Sequence, residues 1–186
     1  AVRPRRARHP ARGMSDAAQD LPYRVAVLCY LHDQEGRLLL LHREKSPNAG
    51  QYSPIGGKLD LAAGESPHTC AVREIREESG VDLDVSEVRL CGLVAERGYE
   101  GSGHWLIFVF EVDRAIRVDE IPTMEISEGV LNWVPVTQVA DLDIPETDRK
   151  VLWPLMSRSR RGFFTADIDC SVDPFKWTVH ESAIGG

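Results

Sequence analysis

The sequence predicts an α/β fold, a mixed sheet with helices packed on it. Three observations lead there. Strand-like segments open the chain, a helix with well-marked ends interrupts them near residue 70, and further strands follow with a late helix among them. Elements in that order suit layers of sheet and helix around one core. At 186 residues the chain is long enough for one domain that buries a single good core.

The elements can be justified in turn. Residues 23–31 (YRVAVLCYL) are rich in β-branched and aromatic side chains and read as a strand. Residues 32–36 form a turn, and 37–42 (RLLLLH) are expected to return as its hairpin partner. The stretch 44–64 is a long connection broken by Pro47, Gly50, Pro54, Gly56, Gly57 and Gly64. Connections of that length inside a compact domain are usually functional. A helix follows, with Ser66 as N-cap, Pro67 at its first position and Gly80 as its C-terminal stop. Residues 88–96 and 105–112 read as strands joined by a glycine-rich tip, 98–103. A loop bearing Glu120, Glu125 and Glu128 precedes a short strand, 130–134. Residues 148–157 are expected to be a helix bent near Pro154, with closing strands at 163–168 and 175–179.

Composition narrows the class. With 42% hydrophobic and 27% charged residues the chain is that of an ordinary globular protein. No apolar run approaches the ~20 residues of a membrane-spanning helix, so no membrane partner is expected. Four cysteines (Cys29, Cys70, Cys91, Cys170) stand far apart without zinc-ligand spacing, which suits reduced thiols in a cytoplasmic protein. Residues 1–13 carry five arginines and no acid, and without them the net charge falls from −7 to −12. Residues 1–20 are therefore expected to be a disordered basic leader, or a start set upstream of Met14, ahead of a domain at 21–183. So acidic a body argues against a nucleic-acid partner. A polyphosphate substrate would also be repelled unless divalent cations mediated.

The informative stretch runs from Gly56 to Val81. At ~100° per residue, Ala71, Val72, Ile75 and Ser79 share the arc to be buried. Glu74, Glu77 and Glu78 occupy an adjacent arc at spacing i, i+3 and i+4. Like charges so placed cost a few tenths of a kcal/mol per pair when exposed, and more near a sheet with less water. A divalent cation resolves the conflict, and magnesium or manganese prefers such oxygen ligands and bridges them to phosphates. A solvated acidic face is the ordinary explanation for a bare E-x-x-E-E, and here the surrounding residues displace it.

Residues 73–81, R-E-I-R-E-E-S-G-V, resemble the Nudix signature R-E-U-x-E-E-x-G-U, where U is aliphatic. Seven residues separate Glu65 from Arg73, as in that family, but seven rather than five separate Gly57 from Glu65. The chain departs from the pattern by two extra residues in the loop that enters the helix. The resemblance spans roughly residues 22–180 and implies an α/β/α sandwich around a mixed sheet. It also implies magnesium- or manganese-dependent cleavage of a pyrophosphate bond in a nucleotide-like small molecule, by a monomer or homodimer. It makes Glu74, Glu77 and Glu78 metal ligands together with the carbonyl of Gly56. Arg73 becomes the residue that orients a glutamate, and Glu65 a structural residue. Glu128, five residues before Trp133, resembles a catalytic-loop glutamate and is a candidate general base, with Glu125, Glu77 and Glu78 as competitors.

Residues 144–168 and 177–182 resemble the tail of the oxidised-purine nucleoside triphosphatases, which places Glu146 and Asp148 near a base. Tyr52 stands where that group has an aromatic residue, and Ser53 replaces its base-contacting Asn, with fewer hydrogen bonds to offer. Arg43 and Lys58 are candidate phosphate contacts. Trp105 and Trp133 are expected in the core, and Tyr99 is a loop aromatic. Three readings follow: a nucleoside triphosphate pyrophosphohydrolase with 8-oxo-dGTP as one candidate substrate, a hydrolase of nucleoside diphosphate sugars, ADP-ribose or dinucleoside polyphosphates, and a non-catalytic nucleotide sensor.

Overall fold

Leu38, Leu39, Leu40 and Leu41 are all almost fully buried, although successive side chains of a strand point to opposite faces. Both faces of this strand are therefore covered, which one apolar layer cannot do. The computed structural model describes residues 22–46, 48–101, 103–158 and 161–183. It contains the strands β1 (Tyr23–Tyr30), β2 (Leu38–Arg43), β3 (Tyr52–Ser53) and β4 (Ile55–Lys58), and then the helix α1 (Pro67–Ser79). After it come β5 (Val88–Tyr99), β6 (Gly103–Val112), β7 (Glu125–Ile126), β8 (Gly129–Val134), α2 (Trp153–Arg158), β9 (Phe163–Asp169) and β10 (Lys176–Ala183). The basic segment 1–13, Met14 and the boundary at residue 21 lie outside the described residues.

The strands form two sheets. One has the order β10-β9-β5-β6-β1-β4, the other β3-β2-β8-β7. The first is mixed, since β1 runs parallel to β6 and β5 parallel to β9. Alternate residues divide between two apolar layers. Val27, Cys29, Leu39, Leu41 and Phe110 join Ala71 and Ile75 of α1 in one. Tyr30, Leu38, Leu40 and Val109 join Leu152 and Met156 in the other, beside α2. This is the α/β sandwich the sequence predicts.

Local chemistry explains α1. The Ser66 hydroxyl accepts from the Thr69 N–H at 3.2 Å, Pro67 needs no amide partner, and Gly80 closes the helix at φ 75° with its N–H on the Arg76 carbonyl. Of the expected arc Ala71, Ile75 and Ser79 are buried and Val72 is half-buried, while Cys70 and Glu78 are buried as well.

One expectation is corrected. β1 and β2 do not form a hairpin. Both edges of β1 are taken, by β4 and β6, so the chain crosses to the second sheet and β2 pairs with β3 and β8. An isolated bridge, His32 to Leu38, is what remains of the turn. The late helix is interrupted near Pro154, as expected. Residues 148–152 form a wide π-type turn and Pro154 sits in the first turn of α2, where its missing N–H is harmless.

β4 carries the first functional constraint. Gly56 faces Leu28 across the β1–β4 ladder, and a Cβ on it would stand 2.1 Å from the Val27 carbonyl oxygen. That neighbour is backbone and cannot step aside. Gly56→Ala should therefore cost about 2–3 kcal/mol, within the usual range for overpacking. A thermal melt unchanged from wild type would contradict this placement of β4.

Candidate functional site

A cavity of about 440 Å³ opens between β4, the start of β8, the inner ends of β5 and β6, and the turn before α2. Each wall is placed by a local feature. On one side stand Gly56, Gly57 and Lys58 of β4 with Glu74 of α1. Gly57 carries no side chain because Glu74 fills the place: a Cβ there would stand 2.2–2.5 Å from the Glu74 carboxylate. Arg43, at the end of β2, and Glu128 form a second side. Arg43 is registered opposite Gly129, whose positive φ and lack of a Cβ let the β2 backbone approach it closely. That approach sets Glu128 beside Arg43, with 3.1 Å between Oε2 and Nη2, and the Glu44 N–H donates to the Glu128 carbonyl at 2.8 Å.

Arg73 ties the loop before α1 to the helix. Its Nε and Nη2 donate to the two oxygens of Glu65 at 2.7 and 2.9 Å, a bidentate pair. Nη2 also reaches the Lys58 carbonyl at 3.1 Å. Nη1 donates to Glu74 at 2.7 Å and to Glu77 at 3.1 Å. The Arg73 bonds hold the Glu65 carboxyl down to about 2. Glu65 is thus a structural anchor, and the two extra residues ahead of it leave its bond to Arg73 intact.

The three helix glutamates differ. Glu77 is half-exposed and held by Arg73. Glu74 is partly buried, and burial raises its pKa despite the Arg73 bonds. Glu78 is only 7% exposed; its Oε2 accepts from the Gly56 N–H at 3.3 Å. Burial, followed by the charge of Glu128, pushes Glu78 up to about 8. Glu74, Glu78 and Glu128 therefore bear electrostatically on one another; Glu74 and Glu128 line the cavity, and Glu77 and Glu78 are not among its lining residues. Among the described residues no three His, Cys, Asp or Glu side chains close around one point. The donors are hard carboxylate oxygens whose mutual repulsion raises their affinity for protons, the chemistry that suits an oxygen-preferring divalent cation.

The remaining sequence candidates divide. Ser53 and Asp148 line the cavity with Arg43 and Lys58. Tyr52 and Glu146 are not among its lining residues: the Tyr52 ring lies against His42 with centroids 4.7 Å apart, and exposed Glu146 pairs with Lys150 at 2.8 Å and Arg149 at 3.3 Å. Several lining residues escaped the sequence reading. Glu96, Trp105, Thr147 and Asn48 all face the cavity, and Tyr99 donates to Asn48 Oδ1 at 2.6 Å. One signal was available for Glu96: it stands two residues after Val94 on a strand face that is otherwise apolar or glycine.

Comparison with known proteins places this geometry. The family model for the NUDIX domain matches residues 22–153. An RNA pyrophosphohydrolase of Novosphingobium aromaticivorans is 32% identical over 149 residues, covering 71% of this chain and 89% of that protein. A putative 8-oxo-dGTP diphosphatase 3 of Mycobacterium tuberculosis is 34% identical over 108 residues, 58% of this chain. The match spans about half (48%) of that relative's own length. Among solved structures, a MutT protein of Bacillus halodurans superposes with a TM-score of 0.69 at 21% identity, over 84% of this chain and 97% of that one. The last likeness is one of fold.

Glu78 yields a prediction by proton linkage. Its folded pKa lies above the unfolded carboxylate value, so the folded state binds more protons between about 4.5 and about 8. Its contribution to stability is fully present below that window and is lost as pH rises through it. Without divalent metal, the wild-type melting temperature should fall from pH 6 to pH 9 more steeply than that of Glu78→Gln, which cannot ionise. Parallel curves for the two proteins would contradict the buried, proton-holding placement of Glu78.

Proposed function

The chain belongs to the Nudix family, and from that membership we propose that it is a divalent-cation-dependent hydrolase that cleaves a nucleoside triphosphate to monophosphate and pyrophosphate. The observation that carries the reading is the crowding of two buried carboxylates, Glu74 and Glu78, against the charge of Glu128 beside a cavity large enough for a nucleoside. A non-catalytic sensor has no need of carboxylates held in such conflict. The acidic body fits a small substrate better than a polyanionic chain. The mycobacterial relative, a putative 8-oxo-dGTP diphosphatase, supports the same substrate class. The Novosphingobium relative favours a second reading on its coverage alone: removal of pyrophosphate from the 5′ end of an RNA.

The residues have separable tasks. Glu74 and Glu78 would hold magnesium or manganese, with the Gly56 carbonyl and Glu77 as further ligands. When bound, the cation supplies charge neutralisation for the pyrophosphate oxygens and acidifies an attacking water. Arg73 donates to Glu74 Oε1 and leaves Oε2 for the cation. Lys58 and Arg43, both on the cavity wall, contact phosphate oxygens. The Glu128 carboxylate, held by Arg43 and partly open to solvent, accepts the proton of the nucleophilic water at Oε2 or Oε1.

A panel of dGTP, 8-oxo-dGTP, dATP, dCTP, ADP-ribose, UDP-sugars, Ap4A and a 5′-triphosphorylated oligoribonucleotide, each with magnesium, tests the proposal by product analysis. Monophosphate and pyrophosphate from the free triphosphates are expected at the highest kcat/KM. Glu78→Gln should lower turnover at least tenfold through loss of an anionic ligand. Glu128→Gln should lower kcat with little change in KM, because it removes proton abstraction and not binding. Preference for the oligonucleotide would install the second reading, and silence across the panel would overturn the assignment.

A further inference from the structure

A second cavity, of about 290 Å³, opens where the C-terminal ends of β1 and β6 meet α2. It shares no lining residue with the cavity described above. The face of β6 that leads to it is apolar, with Ile107 and Val109 buried in the layer beside α2. Two residues on, the same face ends in an acid: Glu111, only 9% exposed, lines the cavity. In the β1–β6 ladder Glu111 stands in register with Tyr30, which is almost fully buried. α2 adds Trp153 and Met156 to the wall. The Tyr30 and Trp153 rings are nearly parallel, 16° apart, with centroids separated by 6.5 Å.

The charge beside this cavity does not balance. Arg89 lies opposite Glu111 in the β5–β6 ladder, and its Nη2 donates to Glu111 Oε2. Its Nε donates to Asp113 at 3.2 Å, and its Nη1 to the Gly162 carbonyl at 3.1 Å. One guanidinium therefore serves two carboxylates. Among the described residues no other Lys or Arg comes within 4.0 Å of either acid. The His32 ring approaches the second oxygen of Glu111, but Nε2 stops 3.9 Å from Oε1, beyond hydrogen-bonding distance. An enclosed carboxylate with charge to spare calls for a cationic donor.

We propose that this cavity is a second binding site, for a small organic cation: an ammonium group on a compact apolar or aromatic body. The ammonium N–H donates to Glu111 Oε1. The Tyr30 and Trp153 rings add the attraction of an aromatic face for a cation. Buried Met156 gives the body of the ligand an adaptable apolar wall. The volume is at the small end for a ligand pocket, which limits that body to about one ring. An anion gains less here, because Arg89 is already committed to three acceptors, and a neutral ligand gains only the apolar contact. The site uses none of the residues assigned to hydrolysis, and it stands whether or not that assignment does. It is nevertheless joined to them through the chain. Trp153 follows directly on the wide turn 148–152, and Asp148 at the head of that turn lines the first cavity.

The test uses phenethylamine, with 2-phenylethanol as its neutral counterpart and phenylacetate as the anionic one. Each is titrated into the full chain at pH 7.5 without metal. Binding is followed by the Trp153 indole N–H resonance in heteronuclear NMR, assigned by its loss in Trp153→Phe. The amine should shift that resonance saturably and bind about tenfold or more tightly than the alcohol, with phenylacetate no tighter than the alcohol. Glu111→Gln should bring amine and alcohol to within about twofold of each other. That variant also takes a partner from Arg89. Should it fail to fold, Thr137→Phe at the exposed rim narrows the mouth without touching an ion pair, and it should weaken the amine about fivefold or more. No saturable shift of Trp153, equal affinity for amine and alcohol, tighter binding of phenylacetate, or amine binding unchanged in either folded variant overturns the proposal.

Discussion

The guanidinium of Arg73 joins the loop before α1 to the helix, and the rest of the site is hung from that junction. It spans Glu65 and the Lys58 carbonyl on the loop side and Glu74 and Glu77 on the helix side. A lysine could not replace it, because one compact ammonium cannot present a planar fork to Glu65 while reaching Glu74 and Glu77. With the loop pinned, β4 is brought against β1, and Gly56 and Gly57 leave room for Val27 and for the Glu74 carboxylate. Two acids that would otherwise be free to swing apart are held together, Glu74 by the clamp and Glu78 by the Gly56 amide. The arrangement keeps carboxylates close at an electrostatic cost, and that cost becomes binding free energy for whatever cation relieves it.

The two ends of the cavity solve the same problem in different ways. At one end Glu74, Glu78 and Glu128 meet Arg43 and Arg73, so the charge is partly balanced by protein and the remainder calls for a metal and a polyphosphate. At the other, Glu96 has a thiol and a hydroxyl as partners, and burial pushes both Glu96 and Asp148 up to about 7. The two apolar layers keep the scaffold rigid enough to hold these groups a fixed distance apart.

Local chemistry made much of this legible. Ser66, Pro67 and Gly80 act over one turn of chain, so the ends of α1 could be read directly, and the carboxylate spacing came with them. The β1–β2 hairpin was misread because strand pairing is decided by distant partners: β4 and β6 had already taken both edges of β1. The interruption near Pro154 was readable because proline is the visible helix breaker, whereas no residue announces that 148–152 form a wide turn. Glu96 was missed for a third reason. A single acid in an otherwise ordinary strand becomes unusual only when its face is known to be buried.

The central claim is that the conflict among Glu74, Glu78 and Glu128 is resolved by a divalent cation. Calorimetric titration of the protein with manganese or magnesium at pH 7, repeated in buffers of different ionisation enthalpy, measures the protons released on binding. Because Glu78 holds its proton up to about 8, binding should release about one proton per site, the usual consequence of metal displacing a proton from its ligand. The release should vanish in Glu78→Gln. Metal binding with no proton release, or with the same release in that variant, would contradict the account.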